Sequence, residues 1–160
     1  MIVNPQVEAA KAEFQRTSGR LLKNLEATPD DKLTWSPSAT SRTPLEIAFH
    51  CAEIISVLHH SIDGQNMMPS ANPTEIDAYC RAQEKNTGSR EDVVKKIQDT
   101  SASYIEWLDK LSDEKLGQTW NSPFGDIPIP VAITLPTYHM EGHIAQLEYV
   151  QTIYGDRVWH

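Results

Sequence analysis

The chain has 160 residues, 39% hydrophobic and 22% charged, with 22 acidic against 14 basic side chains and a net charge of −8. This composition excludes a disordered chain, and it excludes a nucleic-acid partner because no cluster of Lys and Arg is present to hold a phosphate backbone. No apolar run approaches the ~20 residues that span a bilayer, and the start of the chain lacks a basic-then-apolar leader. One domain over residues 1–160, with no membrane partner and a cytoplasmic location, is therefore expected. Cys51 and Cys80 do not make a disulfide framework, which fits a reducing compartment, and both read as buried small hydrophobes.

The first helix is expected over Pro5–Glu26, where Val7, Ala10, Phe14, Leu21 and Leu25 recur at three- and four-residue steps. Thr28-Pro29-Asp30-Asp31 ends it, and a loop carrying Leu33, Trp35 and Pro37 follows. The second helix has the clearest start: Thr43 as N-cap, Pro44 in the first turn and Glu46 closing a capping box. It should run to about Ile62 and stop before Gly64. Gln65–Asn72 reads as a loop and Pro73–Lys85 as a short helix. The third long helix begins at Ser89, with Glu91 and Asp92 in its first turn and a stripe of Val93, Ile97, Tyr104, Leu108 and Leu111. Asn121–Pro130 holds three prolines and a glycine and reads as an extended or hairpin-like connection. The last helix starts between Ala132 and Thr137 and ends at Gly155, a suitable C-terminal glycine. The pattern is all-α: an up-and-down four-helix bundle with a short extra helix between helices two and three.

Three histidines carry the chemistry. On a wheel of ~100° per residue, His139 and His143 are about 40° apart in the middle of an apolar stripe shared with Leu135, Leu147, Val150 and Gln146. Glu141 falls on the far side. His50 is central in the stripe formed by Ile47, Ile54, Val57 and Leu58. His59 falls on the opposite, solvent-facing side, His60 at the boundary, and His160 at the mobile terminus.

Imidazoles in a bundle core need partners, and the helical backbone has none to spare. The i, i+4 spacing of His139 and His143 brings two rings to one ion, with His50 as a third ligand. Three neutral nitrogen ligands suit zinc, nickel or ferrous iron, and three protein ligands leave coordination positions open, as at catalytic sites. Met140 stands where helical zinc proteases carry their glutamate base, so that chemistry is not expected. Gln146 is a candidate to orient a ligand, and Glu53, one turn after His50, is a candidate base or support for the ligand set. Trp35 and Tyr154 read as core or pocket wall.

The chain resembles the DinB/YfiT-like superfamily of four-helix-bundle metalloenzymes over about residues 7–155. The resemblance lies in Leu33-Thr-Trp35-Ser-Pro37, in Thr43-Pro-Leu-Glu-Ile-Ala-Phe-His50, and in His139-Met-Glu-Gly-His143-Ile-Ala-Gln146. It implies His50, His139 and His143 as metal ligands. It also implies, from the family's thiol-dependent transferases, a low-molecular-weight thiol as co-substrate against a small electrophile, in a cavity at one end of the bundle. A metal-dependent hydrolase and a non-catalytic metal-stabilised bundle remain the competing readings. A homodimer through helix packing is compatible with the wheels, though nothing on them demands it.

Overall fold

Proline after a polar cap opens three of the long or intermediate helices. In the computed structural model, which describes residues 4–67 and 70–160, Asn4 accepts from Gln6 N to start α1 (Pro5–Ala27). Thr43 and Glu46 form the expected reciprocal capping box at α2 (Pro44–Ile62), and Asn72 caps α3 (Pro73–Glu84). Ser89 and Asp92 form a second capping box at α4 (Arg90–Asp109). In each case a side-chain oxygen satisfies an amide that the first turn leaves unpaired. The short α5 (Asp113–Leu116) leads to an antiparallel hairpin, β1 (Thr119–Ser122) with β2 (Gly125–Pro128), in which Trp120 faces Ile127. A single turn, α6 (Ile129–Ala132), precedes α7 (Leu135–Ile153). Of the loop expected over Gln65–Asn72, residues 68 and 69 lie outside the described residues. Among the described residues no helix is long and apolar enough to cross a membrane.

α1, α2, α4 and α7 form the four-helix bundle, and side-chain contacts fix their directions. Thr17 bonds Glu141 while Asn24 meets Gln151, so α1 and α7 run parallel. Phe14 packs on Tyr104 while Arg90 reaches the carbonyls of Glu26 and Thr28, so α4 runs against α1. Glu53 pairs with Lys96 and Asp63 with Trp107, so α2 and α4 are parallel. The all-α bundle expected from the sequence is therefore present, with one refinement. The long helices run up-down-down-up instead of alternating strictly. Two consecutive parallel helices need a connection that returns along the bundle, and the segment containing α3 is that crossover.

The core is the joint stripe of these helices. Val7, Phe14, Leu21 and Leu25 of α1, Val93, Ile97, Tyr104 and Leu108 of α4, and Met140, Ile144 and Leu147 of α7 are buried. α2 is buried on nearly all sides, because α4, α7, α3 and β1 each pack against it. This corrects the placement of His59. It is 7% exposed, with its ring 5.0 Å from Trp107 and 5.8 Å from Tyr104. Glu46, Glu53, Val57 and His60, half-exposed residues of α2, lie on the side away from His59, whose own face packs against α4. His160 is likewise held, with Nε2 2.8 Å from Asp156 Oδ2.

Tyr104 ties α4 to the segment that leads into α7. Its hydroxyl donates to the Ile133 carbonyl at 2.5 Å, in a fully buried position. Tyr104→Phe leaves that carbonyl unsatisfied and should cost about 1–3 kcal/mol. Urea unfolding of the two proteins measures this, and a difference below about 0.5 kcal/mol would contradict the assignment.

Candidate metal centre

His50 projects from the second turn of α2, while His139 and His143 project one turn apart from α7 across the α2–α7 contact. One nitrogen from each ring lies within 4.8 Å of the others. His50 Nε2 and His139 Nε2 are 3.2 Å apart. The ring centroids of His50 and His143 lie 4.6 Å apart, and those of His139 and His143 lie 4.5 Å apart. The structure therefore brings together the three histidines that the sequence singled out.

Their burial differs from the wheel reading. His50 is buried, but His139 and His143 are half-buried. The buried side of α7 is centred on Met140, Ile144, Leu147 and Gln151, about 100° around the helix from His139. The two rings thus stand at the edge of the core, and the pair has a side open toward solvent. Glu141 points to α1, where Thr17, Arg16 and Arg20 hold its carboxylate.

The outer nitrogens of two rings each have a side chain beside them. His143 Nδ1 lies 2.8 Å from Gln146 Oε1. An amide oxygen can only accept, so His143 carries its proton on Nδ1 and leaves Nε2 as a lone pair. His50 Nδ1 lies 2.9 Å from Oε1 of Glu84, the last residue of α3. This approach is short but off the N–H direction, so neither atom completes an aligned hydrogen bond. Oε2 of the same carboxylate accepts from Arg42 Nε at 2.8 Å. Glu53, the carboxylate expected near His50, lines the same small cavity as His50, and its carboxylate pairs with Lys96 on α4. Glu84 escaped the sequence reading because its only local signal is a position at the end of a thinly apolar helix. Its partners are 34 and 42 residues away.

Burial and neighbouring charge keep His139 and His143 neutral. Burial, then the neighbouring His143, His50 and Arg42, pushes His139 down to about 3. Burial and His50 push His143 down to about 4, against a smaller raising effect from Gln146. Burial alone would raise Glu84, but His50 and Arg42 outweigh it and hold its carboxyl below the ordinary range. Neutral imidazoles are the metal-binding form, so no proton has to be displaced from His139 or His143 at pH 7.

The donor set fits a divalent ion. Two nitrogens on a tetrahedral ion with bonds of about 2.0–2.1 Å stand roughly 3.3 Å apart, and the pair here is 3.2 Å apart. Without an ion, the same approach requires one ring to donate its N–H to the other. The other sequence candidates take structural places. Trp35 and Tyr154 meet edge to face at 6.0 Å and pack against the core. Cys51 and Cys80 are buried and free. The roomier clefts lie away from the three rings: one is lined by Arg16, Arg20 and Tyr138 between α1 and α7, and another by Gln65 and Trp120 near the end of α2. The small cavity that does touch the site sits behind His50, lined by Tyr79, Cys80 and Glu84.

The sequence model of the DinB superfamily matches residues 13–147. No curated protein matches the chain. Among solved structures, it is similar to YfiT from Bacillus subtilis, described as a probable metal-dependent hydrolase with an unusual four-helix bundle topology. That likeness has a TM-score of 0.73 at 17% identity, over 97% of this chain and 91% of the other.

The depressed imidazoles make the metal-free protein acid-sensitive. Above pH ~6.5, histidine is neutral in both the folded and unfolded states, and the two contribute nothing to the pH dependence. As pH falls below 6.5 the unfolded chain takes up protons that the folded rings refuse, so stability falls until their folded values are reached. The slope approaches about 1.4 kcal/mol per pH unit for each ring. Urea unfolding in chelator between pH 7.5 and 5 should show this loss, and His139→Leu should remove a large part of it. A flat profile in the parent protein would contradict the burial assigned to the rings.

Proposed function

The chain belongs to the DinB superfamily, and on that premise we propose that it is a divalent-metal-dependent enzyme acting on a small molecule. His50, His139 and His143 are its metal ligands. The reaction we favour is transfer of a low-molecular-weight thiol to a small electrophile. The observation that carries the metal reading is the convergence of three imidazoles, two of them 3.2 Å apart through Nε2.

When bound, a divalent ion supplies Lewis acidity that makes a coordinated thiol or water a stronger nucleophile at neutral pH. The chain's own residues prepare the site. Gln146 fixes the His143 tautomer by accepting a hydrogen bond from its Nδ1–H, and the burial of His139 keeps that ring neutral. The half-exposed edge of α7 leaves room for a co-substrate to approach. Gln146 is itself exposed one turn from His143, a position from which its amide can meet a ligand at the open side.

Hydrolysis is the second reading, favoured by the likeness to YfiT, whose description names a probable metal-dependent hydrolase. Both readings share the ligand set and differ in the nucleophile.

Untagged protein should hold about one zinc, nickel or iron per chain. His143→Ala should lower the bound metal at least tenfold while shifting the melting temperature of the metal-free form by only a few degrees. Thiol consumption against a panel of electrophiles should depend on the metal and stop with chelator. Metal-dependent cleavage of esters or amides with no thiol turnover would favour hydrolysis. Collapse of the fold on metal removal would make the ion structural and overturn the enzymatic reading.

A further inference from the structure

α3 is an unusual helix for a small bundle. Of its twelve residues, only Cys80 and Glu84 are buried, and the deepest is the carboxylate of Glu84, 2% exposed. Burying a carboxylate costs several kcal/mol unless charge and hydrogen bonds compensate. A helix that existed only to cover the bundle would bury leucine there.

Two groups meet this carboxylate. Arg42 lies immediately before the α2 N-cap, and its side chain is 12% exposed. It donates from Nε to Glu84 Oε2 at 2.8 Å and from Nη2 to Asp77 Oδ1 at 3.3 Å, gripping α3 at two positions two turns apart. Arg42 alone would suffice as a structural counterion, yet Oε1 is also buried and sits 2.9 Å from His50 Nδ1. Each of these two atoms lacks any other partner. The terminal torsion of a histidine is broad, so turning the N–H onto the oxygen costs little.

We propose that Glu84 is a positioning residue of the metal centre: its carboxylate, clamped by Arg42, accepts a hydrogen bond from the Nδ1–H of His50, keeps the ring's proton there and so presents the Nε2 lone pair to the site. This rests on the metal reading above and goes one step beyond it. A neutral imidazole has one proton, and whichever nitrogen keeps it cannot ligate. His143 has its tautomer set by the neutral amide of Gln146. His50 has its tautomer set by a charge, which also raises the basicity of the ring as a ligand. The extra helix is thus the element that completes the site from behind.

The test combines zinc affinity, by chelator competition, with the His50 tautomer, by proton–nitrogen NMR on the metal-free protein at pH 7.5. Glu84→Gln keeps the shape and an acceptor oxygen but loses the charge. Glu84→Ala loses both and strands Arg42. If Glu84→Ala does not fold, the double variant Arg42→Leu/Glu84→Leu removes the pair together. Asp77→Asn touches Arg42 but not His50 and serves as the control. Removing Glu84 should weaken zinc binding 10- to 100-fold and move the His50 proton from Nδ1 to Nε2, while Asp77→Asn should change affinity less than threefold. The proposal is overturned if the folded Glu84 variants bind zinc within threefold of the parent, or if Asp77→Asn weakens binding as much as they do. A parent protein that binds no divalent ion sinks the metal reading instead. The NMR result then still decides the contact, because a proton on His50 Nε2 in the parent would refute it.

Discussion

Three imidazoles that the helical backbone cannot satisfy are the constraint on which the rest of this structure turns. Every amide and carbonyl in the middle of α2 and α7 is already spent within its own helix. The rings between the two helices must therefore find one another, a side chain, or an ion. The outer nitrogens of His50 and His143 have Glu84 and Gln146 beside them, and the inner nitrogens converge. Desolvation then works in favour of binding. The burial that makes a charged imidazole costly keeps His139 and His143 in the lone-pair form that ligates.

The topology explains why a carboxylate is available behind His50. Because α2 and α4 are parallel, the chain must travel back along the bundle between them, and it does so on the outside of α2. That return path ends α3 at Glu84, level with the first turns of α2 where Arg42 and His50 lie. A strictly alternating bundle would join α2 and α4 by a tight turn at the far end and would leave this side of α2 bare. The crossover that satisfies chain connectivity thus also encloses the site.

How much of this was legible in the sequence depends on whether a feature is local. Capping and first-turn charge are local, so the capping box that starts α2 at Thr43 and the acidic first turn after Ser89 in α4 could be read from the sequence. The i, i+4 pair on α7 is local too, and the hairpin follows from its prolines and glycine. The wheel succeeded for α1 and failed in two instructive places. α2 is enclosed on nearly every side, so opposite faces carry His50 and His59 alike into the interior, and angle alone could not tell a candidate ligand from a packed ring. On α7 the wheel centred the stripe on the histidines, whereas Met140, Ile144 and Gln151 show that the core lies about 100° away. Helix directions and the Glu84 contact depend on long-range packing, and nothing in a window of neighbouring residues encodes either.

Neither cysteine of the chain is placed to act as a nucleophile at the three rings. Cys51 follows His50 directly but is wholly buried, and desolvation pushes its thiol up to about 12. Cys80 shares the small cavity behind His50, where burial and the charge of Glu84 raise its thiol as well. Both sit on the closed side of the site, and both are held in the unreactive protonated form at neutral pH. The half-exposed side of the three rings, by contrast, is bordered by His139, His143 and the exposed Gln146, with no thiol of the chain among them. Under the proposed thiol transfer the sulfur would therefore come from solution and not from the chain, and the open edge of α7 is the side that faces solution.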